Sequence, residues 1–309
     1  ICSGLVGSEM CIRDSLLIND LQTVYYKEKI SRINVMESVT AEFFYRKPLK
    51  DGEAKPAFGL SEPDPDRPDH KGFFKEVKNA REEQHSLSES GFILLDHKST
   101  VENFYSDKEV TEVYYDEMAN LVKKQTGASQ VFIVSHITRN EAEAAEGKRL
   151  GAHRLVHNDF TPNFKQTIQP LLDESNSNPN RITVFNLWRR FDEDGVDAPF
   201  ALCDSRTVSE KELIPTDLFN YGKEEEKSDT HADENGFTVE IYQSMNSDEH
   251  QWYFYPKMHR DEVVMFKTYD SNEKPFMPTL HSAFDDAVNG REDASPRESI
   301  EVRAICFYD

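Results

Sequence analysis

The residues in this chain best suited to metal chemistry are histidines followed two positions later by an aspartate. On a β-strand, both side chains of a His-x-Asp pair lie on the same face, because successive side chains alternate between faces. Two imidazoles and one carboxylate form the facial ligand set of non-haem iron sites. The pattern is short, and a chain with 10 histidines and 57 acidic residues contains some copies by chance. Three copies are present, at His157–Asp159, His231–Asp233 and His259–Asp261.

Sequence context distinguishes the three pairs. His231 lies in a charge-rich run, 223–235, which predicts a solvated loop. His259 follows a Pro-Lys-Met turn and lies only 22 positions before His281, too close for the several strands that separate the ligands of a closed jelly roll. His157 begins a series of β-like segments, with His281 124 positions later. We therefore predict that His157, Asp159 and His281 bind Fe(II) and leave three coordination positions open, with His259 as the competing distal ligand.

A second cluster of polar residues lies near the end of the chain. Arg297 and Ser299 follow His281 and lead into an apolar final strand. In jelly-roll oxygenases, an arginine and a hydroxyl residue on the last strand bind the far carboxylate of 2-oxoglutarate, because a guanidinium group matches a carboxylate in a bidentate way. Arg303 shares a face with Ser299 if the strand is regular, so Arg303 is the alternative anchor.

The second half of the chain consists of short β-rich segments separated by turn-rich or acidic loops. This pattern favours a sandwich or jelly roll over alternating βαβ units. Helices are predicted over 106–125, ending before Gly127, and over 163–172. Further strands are predicted over 39–45 and 131–137, with a loop over 56–70. The series of predicted strands runs over 154–160, 181–188, 200–208, 237–243, 251–255, 262–268, 278–284 and 299–307.

The first 35 residues do not fit this organisation. The sequence opens at Ile1 without an initiator Met, residues 1–15 resemble a translated sequencing adapter, and 16–35 resemble further upstream translation. We predict that the native protein begins at Met36 and forms one domain over 36–309. The alternative is a genuine N-terminal helix over 16–30.

Composition excludes several classes of function. The chain has 36 basic and 57 acidic residues and a net charge of −21, which excludes a generic binder of nucleic acid or anionic membranes. No apolar run approaches the roughly 18 residues of a membrane span. Of the four cysteines, only Cys203 and Cys306 lie outside the first 35 residues, so we predict no disulfide framework and a cytoplasmic location.

Several longer motifs resemble one known family, the AsaB-like hydroxylases/desaturases, which includes fungal gibberellin desaturases and a cephem-methoxylase subunit. The matching motifs cover most of 150–309 in the order of the family. One departure is Arg190, where proline is expected after the Trp-Arg pair. The motifs are VHNDFTPN (156–163), FNLWRR (185–190), PFALCDSRTV (199–208), Trp-Tyr-x-Tyr-Pro-x-Met (252–258), DEVVMFKTYDS (261–271), HSAF (281–284) and PRESIEVRA (296–304).

The resemblance implies a mainly β fold with flanking helices, a cupin-like double-stranded β-helix or jelly roll. It implies an oxygenase that uses Fe(II), 2-oxoglutarate and O2 to hydroxylate or desaturate a small, apolar substrate of secondary metabolism. By the same resemblance, His157, Asp159 and His281 bind the iron, and Arg297 and Ser299 bind 2-oxoglutarate. Asn186, Trp188 and Lys267 match motif positions. Their roles stay open between function and structure, the structural roles being a buried amide, core packing and an ion pair, respectively.

Two other functions remain open at this stage. A jelly-roll protein without catalytic activity could act as an accessory or binding subunit, although an intact set of three ligands argues against this. A cupin-type metal hydrolase or isomerase would use the same three ligands without a cosubstrate.

Overall fold

The computed structural model describes residues 38–59, 68–174, 178–192, 196–219, 238–285 and 294–309. Strands dominate this part of the chain, as the sequence predicts. In order they are β1 (Ser38–Arg46), β2 (Ala57–Gly59), β3 (His70–Asn79), β4 (Phe92–Asp96), β5 (Gln130–Asn140), β6 (His157–Asn158), β7 (Arg181–Arg190), β8 (Phe200–Cys203), β9 (Leu213–Phe219), β10 (Val239–Ser244), β11 (Trp252–Phe254), β12 (Glu262–Asp270), β13 (His281–Ala283) and β14 (Glu298–Tyr308).

The strands form two sheets, a larger mixed sheet and a smaller antiparallel sheet. One has nine strands in the order β1-β3-β11-β8-β13-β6-β10-β9-β2, and the other has five in the order β4-β12-β7-β14-β5. The three central strands of the smaller sheet are buried at almost every position, so side chains on both of their faces pack against the protein. Such strands read as continuous apolar runs, which explains why the sequence identifies them.

Helices lie on the outside of the smaller sheet and at its end. A helical segment begins with α1 (Asp107–Glu109), capped by the Ser106 side chain, continues through a π-helical turn (Val110–Tyr114) and ends with α2 (Tyr115–Thr126). Gly127, at φ 68°, terminates it in the left-handed conformation that glycine adopts readily. The other α-helices are α3 (Glu141–Ala145) and α4 (Phe164–Glu174), and short 3-10 turns occupy Ala80–Glu82, Ser205–Thr207 and Glu210–Glu212.

The predicted elements agree with the structure except at a few places. Strands β3, β4 and β9 and helix α3 were not predicted. The strand expected over 154–160 is only the two-residue β6, and the strand expected over 200–208 ends at Cys203, where the Asp204 side chain caps a 3-10 turn. The predicted loop over 56–70 contains β2, and its residues 60–67 lie outside the described part of the chain. The predictions for 1–35 and for the acidic run with His231 and Asp233 also fall outside the described residues.

The two described cysteines and the described helices bear on the predictions from composition. Cys203 and Cys306 are free and buried, and burial raises the pKa of both thiols to about 12. Among the described residues, no helix has the length and apolar character needed to cross a bilayer.

Candidate metal centre

Two short neighbouring strands bring the predicted histidines together. His157 on β6 pairs directly with His281 on β13 in the nine-stranded sheet. Residues paired in this way place their side chains on the same face, and the two ring centroids lie 4.2 Å apart. Asp159 follows β6 immediately. Sheet topology thus brings together ligands that are far apart in the sequence.

The three side chains direct their ligand atoms toward one point. Asp159 Oδ1 lies 3.5 Å from His157 Nε2 and 3.6 Å from His281 Nε2. All three ligand atoms lie within 4.8 Å of one another, and within the described ranges no other group of three histidine, cysteine or acidic side chains does so. The competing residue His259 lies elsewhere, with 64% of its side chain exposed beside Glu262.

Hydrogen bonds fix the orientation of both imidazoles. His157 Nδ1 lies 2.7 Å from the Leu155 carbonyl oxygen, and His281 Nδ1 lies 3.1 Å from the Thr279 carbonyl oxygen. Because a carbonyl oxygen only accepts, each Nδ1 carries the proton and each Nε2 keeps a free lone pair. Burial, with the neighbouring His281 and His153 rings, lowers the pKa of His157 to about 3. His157 therefore presents the neutral form that binds metals, and the Nε2 atoms of both rings face Asp159.

Asp159 is held from its opposite side. Its Oδ2 accepts hydrogen bonds of 2.8 Å from both Arg303 Nε and Asn186 Nδ2, which leaves Oδ1 facing the histidines. Burial alone would raise the pKa of Asp159, but the Arg303 charge brings it well below its usual value. Sequence analysis instead predicts Arg303 as the alternative anchor for 2-oxoglutarate, and it identifies Asn186 only as a motif position.

The two residues predicted to bind 2-oxoglutarate lie together near the metal ligands. Arg297 is buried, and its guanidinium group donates to Ser299 Oγ (3.2 Å) and to the Ala198 carbonyl oxygen (2.8 Å). It also lies 5.0 Å from the centre of the Trp188 ring, a cation–π distance. Arg303 instead contacts Asp159 and Glu301, so the two arginines occupy different places in the site.

One cavity connects the metal ligands to Arg297. Trp188 stacks on Phe200 at its edge, and the indole Nε1 is buried with no hydrogen-bond partner among the described residues. Of the aromatic residues near the sequence motifs, Phe160 and Tyr253 belong to hydrophobic clusters, and Trp252 stacks on Phe43. The cavity is lined by Arg139, His153, His157, Trp188, Phe200, His281, Ser282, Arg297, Glu301 and Arg303.

Comparison with known proteins identifies the family. A family model described as an oxidoreductase/YMDC permease-like domain matches residues 43–307. The Fe(II)/2-oxoglutarate-dependent dioxygenase nvfI of Aspergillus novofumigatus is 30% identical over 86% of this chain and 91% of its own. The chain belongs to this family of oxidoreductases, the AsaB-like hydroxylases/desaturases.

Other relatives and a solved structure agree with this assignment. The hydroxylase/desaturase efuI of Hormonema carpetanum is 29% identical over 74% of this chain and 81% of its own. The hydroxylase/desaturase asaB of Aspergillus flavus is 29% identical over 42% of this chain and 56% of its own. The structure of the iron and alpha-ketoglutarate-dependent endoperoxidase NvfI matches with a TM-score of 0.70 at 26% identity, over 88% of this chain and 98% of the other.

These matches confirm the predicted family, the jelly-roll fold and the enzyme class. The chain is an AsaB-like enzyme of the Fe(II)/2-oxoglutarate-dependent dioxygenase class.

Proposed function

We propose that this enzyme binds Fe(II) through His157, Asp159 and His281 and oxidises a C–H bond of a small organic molecule. The observation that carries the proposal is the convergence of His157 Nε2, His281 Nε2 and Asp159 Oδ1 within 4.8 Å. Two neutral imidazoles and one ionised carboxylate on one side of a metal leave the opposite side open, as a dioxygenase requires.

The residues present fit the iron and its cosubstrate. Both Nδ1 atoms are occupied by carbonyl oxygens and Asp159 Oδ2 by two donors, so three ligand atoms remain for a metal. The unpartnered Trp188 Nε1 and the Arg297 guanidinium group line the same cavity, and each can donate to an anionic ligand. When bound together, Fe(II), 2-oxoglutarate and O2 supply the oxidising power and release succinate and CO2.

The chain contributes binding and orientation. Arg297 binds the far carboxylate of 2-oxoglutarate, because its guanidinium group is buried and bonded only to neutral oxygens. Ser299 Oγ accepts from Arg297, so its own proton is available to the same carboxylate. Arg303 is bonded to two carboxylates and serves Asp159 instead.

The substrate is a small molecule of secondary metabolism, and the product is its hydroxylated or desaturated form. This part of the proposal rests on the relatives named hydroxylase/desaturase. A net charge of −21 disfavours binding to nucleic acid or to anionic membranes, so neither is a proposed partner. We propose that the enzyme works in the cytoplasm.

Anaerobic titration tests the metal and cosubstrate assignments. Addition of 2-oxoglutarate to the Fe(II) protein should produce a visible charge-transfer band, and addition of O2 should produce succinate. His157→Ala, Asp159→Ala and His281→Ala should each abolish iron binding, whereas His259→Ala, at the exposed histidine, should retain it. Arg297→Met should keep the iron and raise the Kd of 2-oxoglutarate by about 10- to 100-fold, the effect of losing a charge-assisted hydrogen bond.

The same titration separates the two other functions. Iron binding without a charge-transfer band, and with no effect of Arg297→Met, would favour a cupin-type hydrolase or isomerase. Absence of iron binding by the wild-type protein would favour a non-catalytic subunit. Either result would reject the proposed function.

A further inference from the structure

Arg139 is a basic residue of the site to which the sequence assigned no role. It lies on β5 directly opposite Ser299 of β14. Residues paired in this way across antiparallel strands have side chains on the same face. Arg139 also lines the cavity that contains Arg297 and both metal-facing histidines. Arg139 therefore lies beside Ser299 on the neighbouring strand, and Arg297 lies two residues before Ser299 in the sequence.

Among the described residues, no carboxylate forms a salt bridge with either guanidinium group. In the described part of the chain, Arg139 makes one side-chain hydrogen bond, from Nη1 to the Gly151 carbonyl oxygen at 2.7 Å. Arg297 makes two, both to neutral oxygens. Each guanidinium group has five N–H donors, so most donors of both residues remain available to a ligand.

Other arginines of the neighbourhood differ in this respect. Arg154 contacts Glu141 at 3.0 Å, and Arg190 contacts Asp192 at 2.7 Å. The chain is strongly acidic and supplies carboxylates to these two cations. Two cations around Ser299 without a carboxylate therefore indicate a place where the negative charge comes from a ligand.

Electrostatics gives the same indication. Burial lowers the pKa of Arg297 to about 9, the Arg190 and Arg139 charges act in the same direction, and the Glu141 charge offsets part of the effect without contacting the guanidinium group. An anion between Arg139 and Arg297 would offset both the burial and the repulsion of the two cations.

We propose that Arg139 is a second guanidinium group for the far carboxylate of 2-oxoglutarate, opposite Arg297 and with Ser299 between them. This inference rests on the proposed function and adds a binding residue to it. Two cations on one carboxylate make the enzyme selective for 2-oxo acids that carry a second carboxylate.

The test compares two ligands that differ only at the far end. The Fe(II) protein is titrated without O2, by the charge-transfer band, with 2-oxoglutarate and with 2-oxopentanoate, which has a methyl group in place of the far carboxylate. Arg139→Met should raise the Kd of 2-oxoglutarate about tenfold or more and leave that of 2-oxopentanoate unchanged. Arg139→Lys should recover part of the loss, because it keeps the charge without the planar fork.

Arg149→Met is the matched control, because Arg149 bonds to Glu143 and Thr138 away from the cavity. It should leave both Kd values as in the wild type. The inference is rejected if Arg139→Met binds 2-oxoglutarate as the wild type does, or weakens both ligands equally as a structural defect would. Absence of the band in the wild-type protein rejects the proposed function itself and the inference with it, whereas a normal wild-type band with no effect of Arg139→Met rejects the inference alone.

Discussion

At the scale of single residues, the contacts of Asp159 determine what the site can do. A carboxylate with both oxygens free can rotate and bind a metal in more than one way. Here Arg303 and Asn186 bind Oδ2, so only Oδ1 is directed toward the two Nε2 atoms. Such hydrogen bonds to metal ligands set the orientation of the ligand and the affinity of the site.

This arrangement predicts the effect of removing Arg303. Arg303→Met should lower the affinity for Fe(II) about 10- to 100-fold, as is typical for loss of a partner that orients a metal ligand. Isothermal titration with Fe(II) under nitrogen measures the change. Arg181→Met removes another arginine–aspartate pair, Arg181–Asp270, outside the metal site and should leave the affinity unchanged. Equal affinities for wild type and Arg303→Met would contradict the role of Arg303.

A second residue-scale prediction concerns His85. Its ring stacks on Phe92 with centroids 4.4 Å apart, and neither ring nitrogen has a hydrogen-bond partner in the described structure. Burial lowers the pKa of His85. The unfolded chain therefore takes up the proton first as the pH falls, so His85 lowers the free energy of unfolding as the pH decreases below 6.5, its ordinary pKa.

His85→Phe should remove this pH dependence and increase stability. The phenyl ring keeps the stacking and has no buried polar atoms without partners, which cost about 1 kcal/mol or more. Urea unfolding in EDTA at pH 7.5 and 5.5 measures the difference. The variant should lose less unfolding free energy between these pH values than the wild type, although His97 and His250, whose pKa values burial also lowers, keep part of the slope. A steeper slope would refute the prediction.

At the scale of elements, the sequence predicted the strands that bear the ligands but not the register between them. His157 and Asp159 could be predicted as metal ligands because they lie at the start of the series of predicted strands. His281 could be predicted because it lies near the end of that series. The contacts of Asp159 with Asn186 and Arg303 could not be predicted, since those residues lie on β7 and β14 and meet only through the pairing of Arg303 with Asn186. Arg139 escaped notice for the same reason.

The missed strands have local physical reasons. β9 contains Pro215, which lacks an N–H group and is rare within sheets. β3 carries Phe74, 72% exposed, so its apolar residues do not alternate cleanly between an inner and an outer face. β4 has only five residues. Its neighbour β12 supplies the long apolar run that made the smaller sheet predictable.

Two glycines with positive φ allow a test of how an element supports the site. Gly91, at φ 89°, accepts a hydrogen bond from Thr279 Oγ1, and a Cβ there would lie 2.2 Å from that atom. The Thr279 carbonyl oxygen in turn accepts from His281 Nδ1. Gly127, at φ 68°, has open space around a Cβ. Thus both positions strain an alanine, but only Gly91 connects that strain to a metal ligand.

Gly91→Ala should therefore lower both stability and iron affinity. The left-handed backbone alone costs about 1–2 kcal/mol for a non-glycine residue, and displacement of Thr279 adds to it. Gly127→Ala should lose only the backbone part and bind Fe(II) as the wild type does. Urea midpoints and Fe(II) titrations of the two variants give the comparison. A normal iron affinity for Gly91→Ala would show that Thr279 does not position His281.

At the scale of the whole molecule, charge is distributed unevenly. The chain carries −21, yet arginines 139, 297 and 303 line the cavity beside the metal ligands. An acidic protein gains solubility from its net charge, whereas a dianionic cosubstrate needs local cations. The net charge could be counted from the sequence, but the local excess of arginine depends on strands that the fold brings together.

The extent of the folding unit gives the last prediction. The described fold begins with β1, which pairs with β3 along its whole length, from Ser38 opposite Lys78 to Arg46 opposite His70. Phe43 and Tyr45 on β1 are fully buried. A chain that starts at Met36 keeps the whole of β1. A chain that starts at Met36 should then have the urea midpoint and the Fe(II) affinity of the full chain.

A shorter chain provides the contrast. A protein that starts at Lys47 lacks β1 and with it the buried rings of Phe43 and Tyr45. Loss of each ring lowers the free energy of unfolding by about 3–5 kcal/mol. Together these losses approach the entire stability of an ordinary domain, so this chain should not fold. Circular dichroism and urea unfolding distinguish the two chains. Failure of the chain from Met36 to fold would contradict this prediction.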